Sequence, residues 1–129
     1  MGKAISSIMQ RVISPVRMDD TIDIVERVMK ANRISSTPVC DDGGAILGII
    51  TTTDLLRHHA SGKDSSAVKA WELCTYKPLQ VSPDTPATKV AELMIEHRTH
   101  HVLVMDGPSA EGIVSALDFV RLYLDECRN

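Results

Sequence analysis

The sequence predicts a mixed α/β fold, α+β in its detail: two β-α-β-β-α repeats related by a pseudo-twofold axis, with their sheets packed face to face. Three observations predict it: an internal duplication, the same order of helical and strand periodicity in both copies, and a half-length too small to bury a core alone. The duplication comes first, because a missed repeat misassigns everything after it. At one constant spacing Val16 matches Val81, Asp19 matches Asp84, Val25 matches Val90 and Met29 matches Met94. Arg33 with Arg98, Val39 with Val104 and Asp41 with Asp106 continue the series. One residue is lost in the second copy's turn, after which Gly48 matches Gly112, Ile49 matches Ile113, Asp54 matches Asp118 and Arg57 matches Arg121. The copies run over 4–59 and 69–125, and the small polar residues of 60–68 suit a flexible linker.

A leading strand near Val12 to Val16, and near Leu79 to Val81 in the second copy, opens each unit. Asp19-Asp20-Thr21 and Asp84-Thr85 offer N-caps to helices in which Ile22, Val25, Val28 and Met29, or Val90, Leu93 and Met94, recur at three- and four-residue steps. Ser36 to Cys40 and His101 to Met105 read as strands running into the turns Asp41-Asp42-Gly43-Gly44 and Asp106-Gly107-Pro108-Ser109. The returning strands, Ala45 to Thr51 and Ala110 to Ser115, pass into second helices over Thr53 to His59 and Ala116 to Cys127. A unit of about 60 residues buries only about 60% of its unfolded surface, so the copies should pack together, leaving symmetry-related clefts where small ligands are favoured.

Composition narrows the function. The 129 residues are 43% hydrophobic and 24% charged, with formal net charge −3, so no positive surplus draws nucleic acid or an anionic membrane. Aromatic content of 3% leaves few platforms for stacking bases. Cys40, Cys74 and Cys127, an odd number without a CxxC pair, suit a reducing, cytoplasmic setting. No apolar run reaches the roughly 18 residues of a membrane span, and the first residues lack a signal-peptide core.

At Thr51-Thr52-Thr53-Asp54 a strand ends and a helix begins, so a hydroxyl, a carboxylate and unpaired first-turn amides meet within one turn. A carboxylate accepts two hydrogen bonds from a ribose diol, while hydroxyls and helix-terminal amides bind phosphate oxygens. The plainer alternative is that Thr53, or Ser115 in the second copy, simply caps a helix and its aspartate complements the helix dipole. Arg33 and Arg98 read as dipole compensation at the ends of the first helices. No P-loop, Gly-x-Ser-x-Gly elbow or dinucleotide fingerprint occurs, and His58-His59, His97 and His100-His101 show no zinc spacing.

Ile34-Ser35-Ser36-Thr37-Pro38-Val39-Cys40-Asp41 and Gly48-Ile49-Ile50-Thr51-Thr52-Thr53-Asp54-Leu55-Leu56, with their second-copy partners, resemble the signature of the cystathionine β-synthase (CBS) domain. Two such domains in tandem form a Bateman module, and the resemblance covers almost the whole chain. It implies that Asp54 and Asp118 hold ribose, with Thr51, Thr53 and Ser115 near phosphate; Leu117 replaces the second hydroxyl in the second copy, which weakens that site for phosphate. It also implies that Asp54 shares a cleft with Leu79 and His101, and Asp118 with Ser14, Ile34 and Ser35, while Ile34 and Pro38 flank a purine. His100-His101 falls where basic side chains of the family meet phosphate. Bound phosphate would raise the histidine pKa values, so affinity would fall as pH rises past neutrality.

The expected protein is a stand-alone, non-catalytic sensor binding AMP, ADP, ATP or S-adenosylmethionine. A homodimer formed through helices such as Val25 to Met29, Leu55 to His59 and Phe119 to Leu124 is implied, and a separately encoded effector protein is a possible partner. Rival readings are an interaction module with no small-molecule ligand, and a metal- or redox-responsive regulator using the histidines and Cys74.

Overall fold

The structure is a computed structural model describing residues 2–12 and 15–128; Ser14, named above as a contact, lies outside the described residues. In chain order the elements are a 3-10 turn (Ile5–Ser7), β1 (Gln10–Arg11), β2 (Val16–Arg17), α1 (Ile22–Asn32), β3 (Ser36–Cys40), β4 (Ile46–Thr51) and α2 (Thr52–Ala60). There follow α3 (Ala70–Leu73), β5 (Thr75–Tyr76), β6 (Gln80–Val81), α4 (Ala87–His97), β7 (His101–Asp106), β8 (Ser109–Ser115) and α5 (Ala116–Cys127). The fold is mixed α/β with two four-stranded sheets, and the order of elements predicted from periodicity is present in both copies.

The compact units do not follow the linear boundaries of the repeats. The first comprises Ile13–Lys77; the second joins Met1–Val12 to Pro78–Asn129. In the first, the sheet runs β2-β3-β4-β5, with β2 parallel to β3 and the rest antiparallel. In the second it runs β1-β8-β7-β6, with β6 parallel to β7. Each sheet therefore gains an edge strand from the opening residues of the other copy. Periodicity did not reveal these edge strands, because β1 and β5 are two residues long and carry no alternation to read.

The first helices start differently from the sequence expectation. Thr21 is the N-cap of α1 but its side chain makes no capping bond, and Pro86, rather than Asp84 or Thr85, holds that position for α4. The unpaired first-turn amides find backbone partners instead. Ile22 N–H donates to the Val68 carbonyl (2.9 Å) and Asp23 N–H to the Ser65 carbonyl (3.1 Å); in the second unit Ala87 N–H donates to the Lys3 carbonyl (2.8 Å). Residues 60–68, expected to be flexible, are thus tied to α1 at Ser65 and Val68, and His58, buried, bonds the Ser65 hydroxyl at 2.9 Å. At the other end, Arg33 and Arg98 are left-handed C-caps (φ 53° and 52°), and the next amides, of Ile34 and Thr99, return to the Met29 and Met94 carbonyls. The two arginines thus hold the same place in the backbone path, one that more often takes Gly or Asn.

Val16, Ile22, Val25, Met29, Val39, Ile50, Ala70 and Cys74 form the core of the first unit. Ile5, Ala87, Val90, Met94, Val102, Val104 and Val114 form that of the second. Ile5 and Ala70, one from each borrowed segment, are both fully buried. The borrowed strands also explain the matched glycines. A Cβ on Gly48 would lie 2.1 Å from the Thr75 carbonyl oxygen, and one on Gly112 2.7 Å from the Gln10 carbonyl oxygen, so only glycine lets the edge strand approach.

Candidate functional site

The strand-to-helix junction is built the same way in each unit. Thr51 ends β4 and is the N-cap of α2; Ser115 ends β8 and is the N-cap of α5. Asp54 and Asp118 sit at the third helical position and close capping boxes. Thr51 N–H donates to Asp54 Oδ2 at 2.8 Å and Thr51 Oγ1 donates to the same oxygen at 3.2 Å, while Asp54 N–H donates to Thr51 Oγ1 at 3.4 Å. Ser115 N–H and Oγ donate to Asp118 Oδ2 at 2.8 and 3.3 Å. The cap reading and the hydroxyl-plus-carboxylate reading are thus the same geometry, and Thr51, not Thr53, is the cap. Losing such a cap costs about 1 kcal/mol.

Burial separates these aspartates from ordinary surface caps. Asp54 is 7% and Asp118 4% exposed, and each lies beside an arginine one helical turn on: Arg57 Nη1 is 3.8 Å from Asp54 Oδ1, Arg121 Nη1 3.1 Å from Asp118 Oδ1. The arginines were missed as site residues, although their identity in both copies at the same step from the aspartate was a readable signal. Gln10 was missed as well; its Nε2 lies 3.4 Å from Asp118 Oδ1. No spacing rule could have found it, since 108 residues separate the two in sequence.

The remaining expected residues divide by unit. In the first, the Ser35 carbonyl accepts the Thr52 amide at 3.0 Å and Ser36 pairs with Thr51, so Ser35, Thr51, Thr53 and Asp54 gather at one end of the sheet, with Ser35 and Thr53 exposed. In the second, the His100 carbonyl accepts the Ala116 amide at 2.9 Å and His101 pairs with Ser115, which gathers His100, His101, Ser115 and Asp118. Ile34 is half-buried and packs on the first core, as Leu79 does on the second, whereas Pro38 is wholly buried within β3. An open groove of about 560 Å³ runs along α1 and α2 and reaches Ile34 and Thr52 at the first junction.

Three further features bear on function. Among the described residues, no group of three or more His, Cys, Asp or Glu side chains is placed to hold a metal ion. Burial pushes the Cys74 thiol above its ordinary pKa, which keeps it protonated and unreactive. No helix of the described residues is long and apolar enough to cross a membrane.

Fold and junctions together define a duplicated α/β module with a buried, capped carboxylate at the same place in each copy. Comparison with known proteins names that module: the CBS domain model matches residues 5–61 and 70–125, and the chain belongs to the CBS-domain family. It is 30% identical over 115 residues to the CBS domain-containing protein CBSX3, mitochondrial, of Arabidopsis thaliana, covering 85% of this chain and 56% of that protein. It is 32% identical over 98 residues to inosine-5'-monophosphate dehydrogenase of Halobacterium salinarum, covering 75% of this chain and 19% of the enzyme. The chain thus spans about half of the first relative and a fifth of the second, whose match is confined to its CBS part. Among solved structures, the CBS domain of a CBS domain-containing membrane protein from Sphaerobacter thermophilus superposes with a TM-score of 0.81 at 26% identity, over 93% of this chain and 87% of that one. CBSX2, solved in complex with AMP, superposes at 0.74 with 22% identity, over 96% and 98% of the two chains. The chain is a CBS domain pair.

Proposed function

We propose that this CBS pair is a non-catalytic sensor that binds an adenosine-containing ligand, AMP, ADP, ATP or S-adenosylmethionine, at its strand-to-helix junctions. The observation that carries the reading is the burial of Asp54 and Asp118 at capped helix starts, each beside hydroxyls and an exposed residue of the neighbouring strand entry. The carboxylates accept the ribose hydroxyls, Thr51, Thr53 and Ser115 lie toward phosphate, and Ile34 and Leu79 offer apolar contact to adenine. The AMP in CBSX2 supports the ligand class. His100 is exposed at the second junction, where a cationic imidazole would favour phosphate.

The reading includes a homodimer that reports occupancy to a separately encoded protein. Its support is a row of exposed apolar side chains on α5, with Leu117 55%, Val120 49%, Tyr123 60% and Leu124 42% exposed, which a second copy would cover. Thermal denaturation tests the reading. A ligand at about 100 times its Kd adds about 2.7 kcal/mol, a shift of several degrees for a domain of this size. Asp54→Ala, measured against its own unliganded Tm to remove the loss of the cap, should lose much of that shift. The same samples should elute at the mass of two chains by light scattering. No shift with any of the four ligands would leave a protein-interaction module as the better account.

A further inference from the structure

We infer that the two junctions are unequal: Gln10, carried on the borrowed edge strand β1, occupies the Asp118 junction against a ribose, while the Asp54 junction stands ready. The inference rests on the adenosine reading above and adds a residue that controls access. An ionised carboxylate offers about four acceptor positions. At Asp118 four donors are in place: Ser115 N–H and Oγ on Oδ2, with Arg121 Nη1 at 3.1 Å and Gln10 Nε2 at 3.4 Å on Oδ1. At Asp54 Oδ2 is used identically, but Oδ1 faces only Arg57 Nη1 at 3.8 Å among the described residues, beyond hydrogen-bond reach. A ribose diol presenting two hydroxyl donors finds acceptor positions at Asp54, whereas at Asp118 it must first displace Gln10 or Arg121.

Arg57 and Arg121 stand at different distances from their aspartates, but they are the same residue on matching, largely exposed side chains that can shift, so the difference in residue type comes down to one side chain. Gln10 pairs with Ile113 across the edge of its sheet, and Thr75 pairs with Ile49 across the edge of the other. Ile49 and Ile113 are repeat equivalents, so Thr75 is the counterpart of Gln10, and its hydroxyl, one bond from Cβ, makes no bond to Asp54. Gln10 is exposed and sits on a two-residue edge strand, so its amide has room to swing away when a ligand takes its place.

The test is calorimetric titration of the full chain with AMP, comparing wild type, Gln10→Thr and Thr75→Gln, both exchanges of exposed residues. The wild type should show one tight site per chain and a second at least about tenfold weaker, which is the worth of one hydrogen bond to a charged group. Gln10→Thr should tighten the weaker site about tenfold, raising the apparent stoichiometry toward two. Thr75→Gln should weaken the tight site by a similar factor. Asp54→Ala should remove the tight site and Asp118→Ala only the weak one. Two equal sites in the wild type, or a weak site unmoved in a natively folded Gln10→Thr, would overturn the inference. So would loss of the tight site in Asp118→Ala. Absence of saturable heat with AMP, ADP, ATP and S-adenosylmethionine in all three proteins is a different result, which overturns the adenosine reading and this inference with it.

Discussion

Asp54 and Asp118 each commit Oδ2 to a helix start, which positions the carboxylate at the end of its strand, and the proposed function gives each a second task. Asp23 and Asp64 bear on stability. Asp23 is held below the ordinary aspartate range chiefly by the Thr21 hydroxyl, which donates to it, and Asp64 chiefly by the Ser66 amide and hydroxyl, at 3.0 and 2.9 Å. A carboxyl whose pKa is depressed by folding contributes stability that is present above its unfolded value and lost as pH falls through the folded one. Thermal denaturation should therefore show Tm falling below about pH 4. The double variant Asp23→Asn and Asp64→Asn should start lower at neutral pH and fall less steeply on acidification; parallel curves would contradict this. The repeat made Asp54, Asp118, Thr51 and Ser115 legible in the sequence. Gln10 was illegible, because nothing local to it signals a carboxylate on a distant helix.

Among the elements, β4 and β8 carry the clearest case of sequence explained by packing. Gly48 and Gly112 match because each faces the backbone of a borrowed edge strand, with no room for a methyl group. Gly48→Ala should lower stability by about 1–3 kcal/mol, as forced overpacking does, since the clash at 2.1 Å is with the Thr75 carbonyl and not with a flexible side chain. Gly112→Ala should cost less: its nearest contact is the Met9 thioether, which can move, although the Gln10 carbonyl cannot. Urea unfolding of the two variants against wild type measures the difference, and equal midpoints for Gly48→Ala and wild type would refute the edge-strand explanation. The long helices and the strands other than β1 and β5 were legible from periodicity, while α3 was not. The caps of α1 and α4 were not, since backbone carbonyls of Val68, Ser65 and Lys3 do the work that side chains were expected to do.

Across the whole molecule, one compact unit, Ile13–Lys77, is continuous in sequence, and the other is completed by residues 1–12 from the far side of the sequence. Ile5 is the anchor of that segment, fully buried against Val90, Val102 and their neighbours although it lies next to the chain start. Ile5→Ala should cost about 2–5 kcal/mol by leaving a cavity. If residues 1–12 were a dispensable tail, urea unfolding would show no loss.

The sequence by itself determined the duplication, the order of the long helices and central strands, the family and the two capped aspartates, because each is written in local periodicity or in matched side chains. Tertiary structure alone decided which segments complete which sheet, what caps the first helices and what stands against Asp118. Those contacts run through backbone groups and through partners distant in sequence, so side-chain identity carries almost no trace of them.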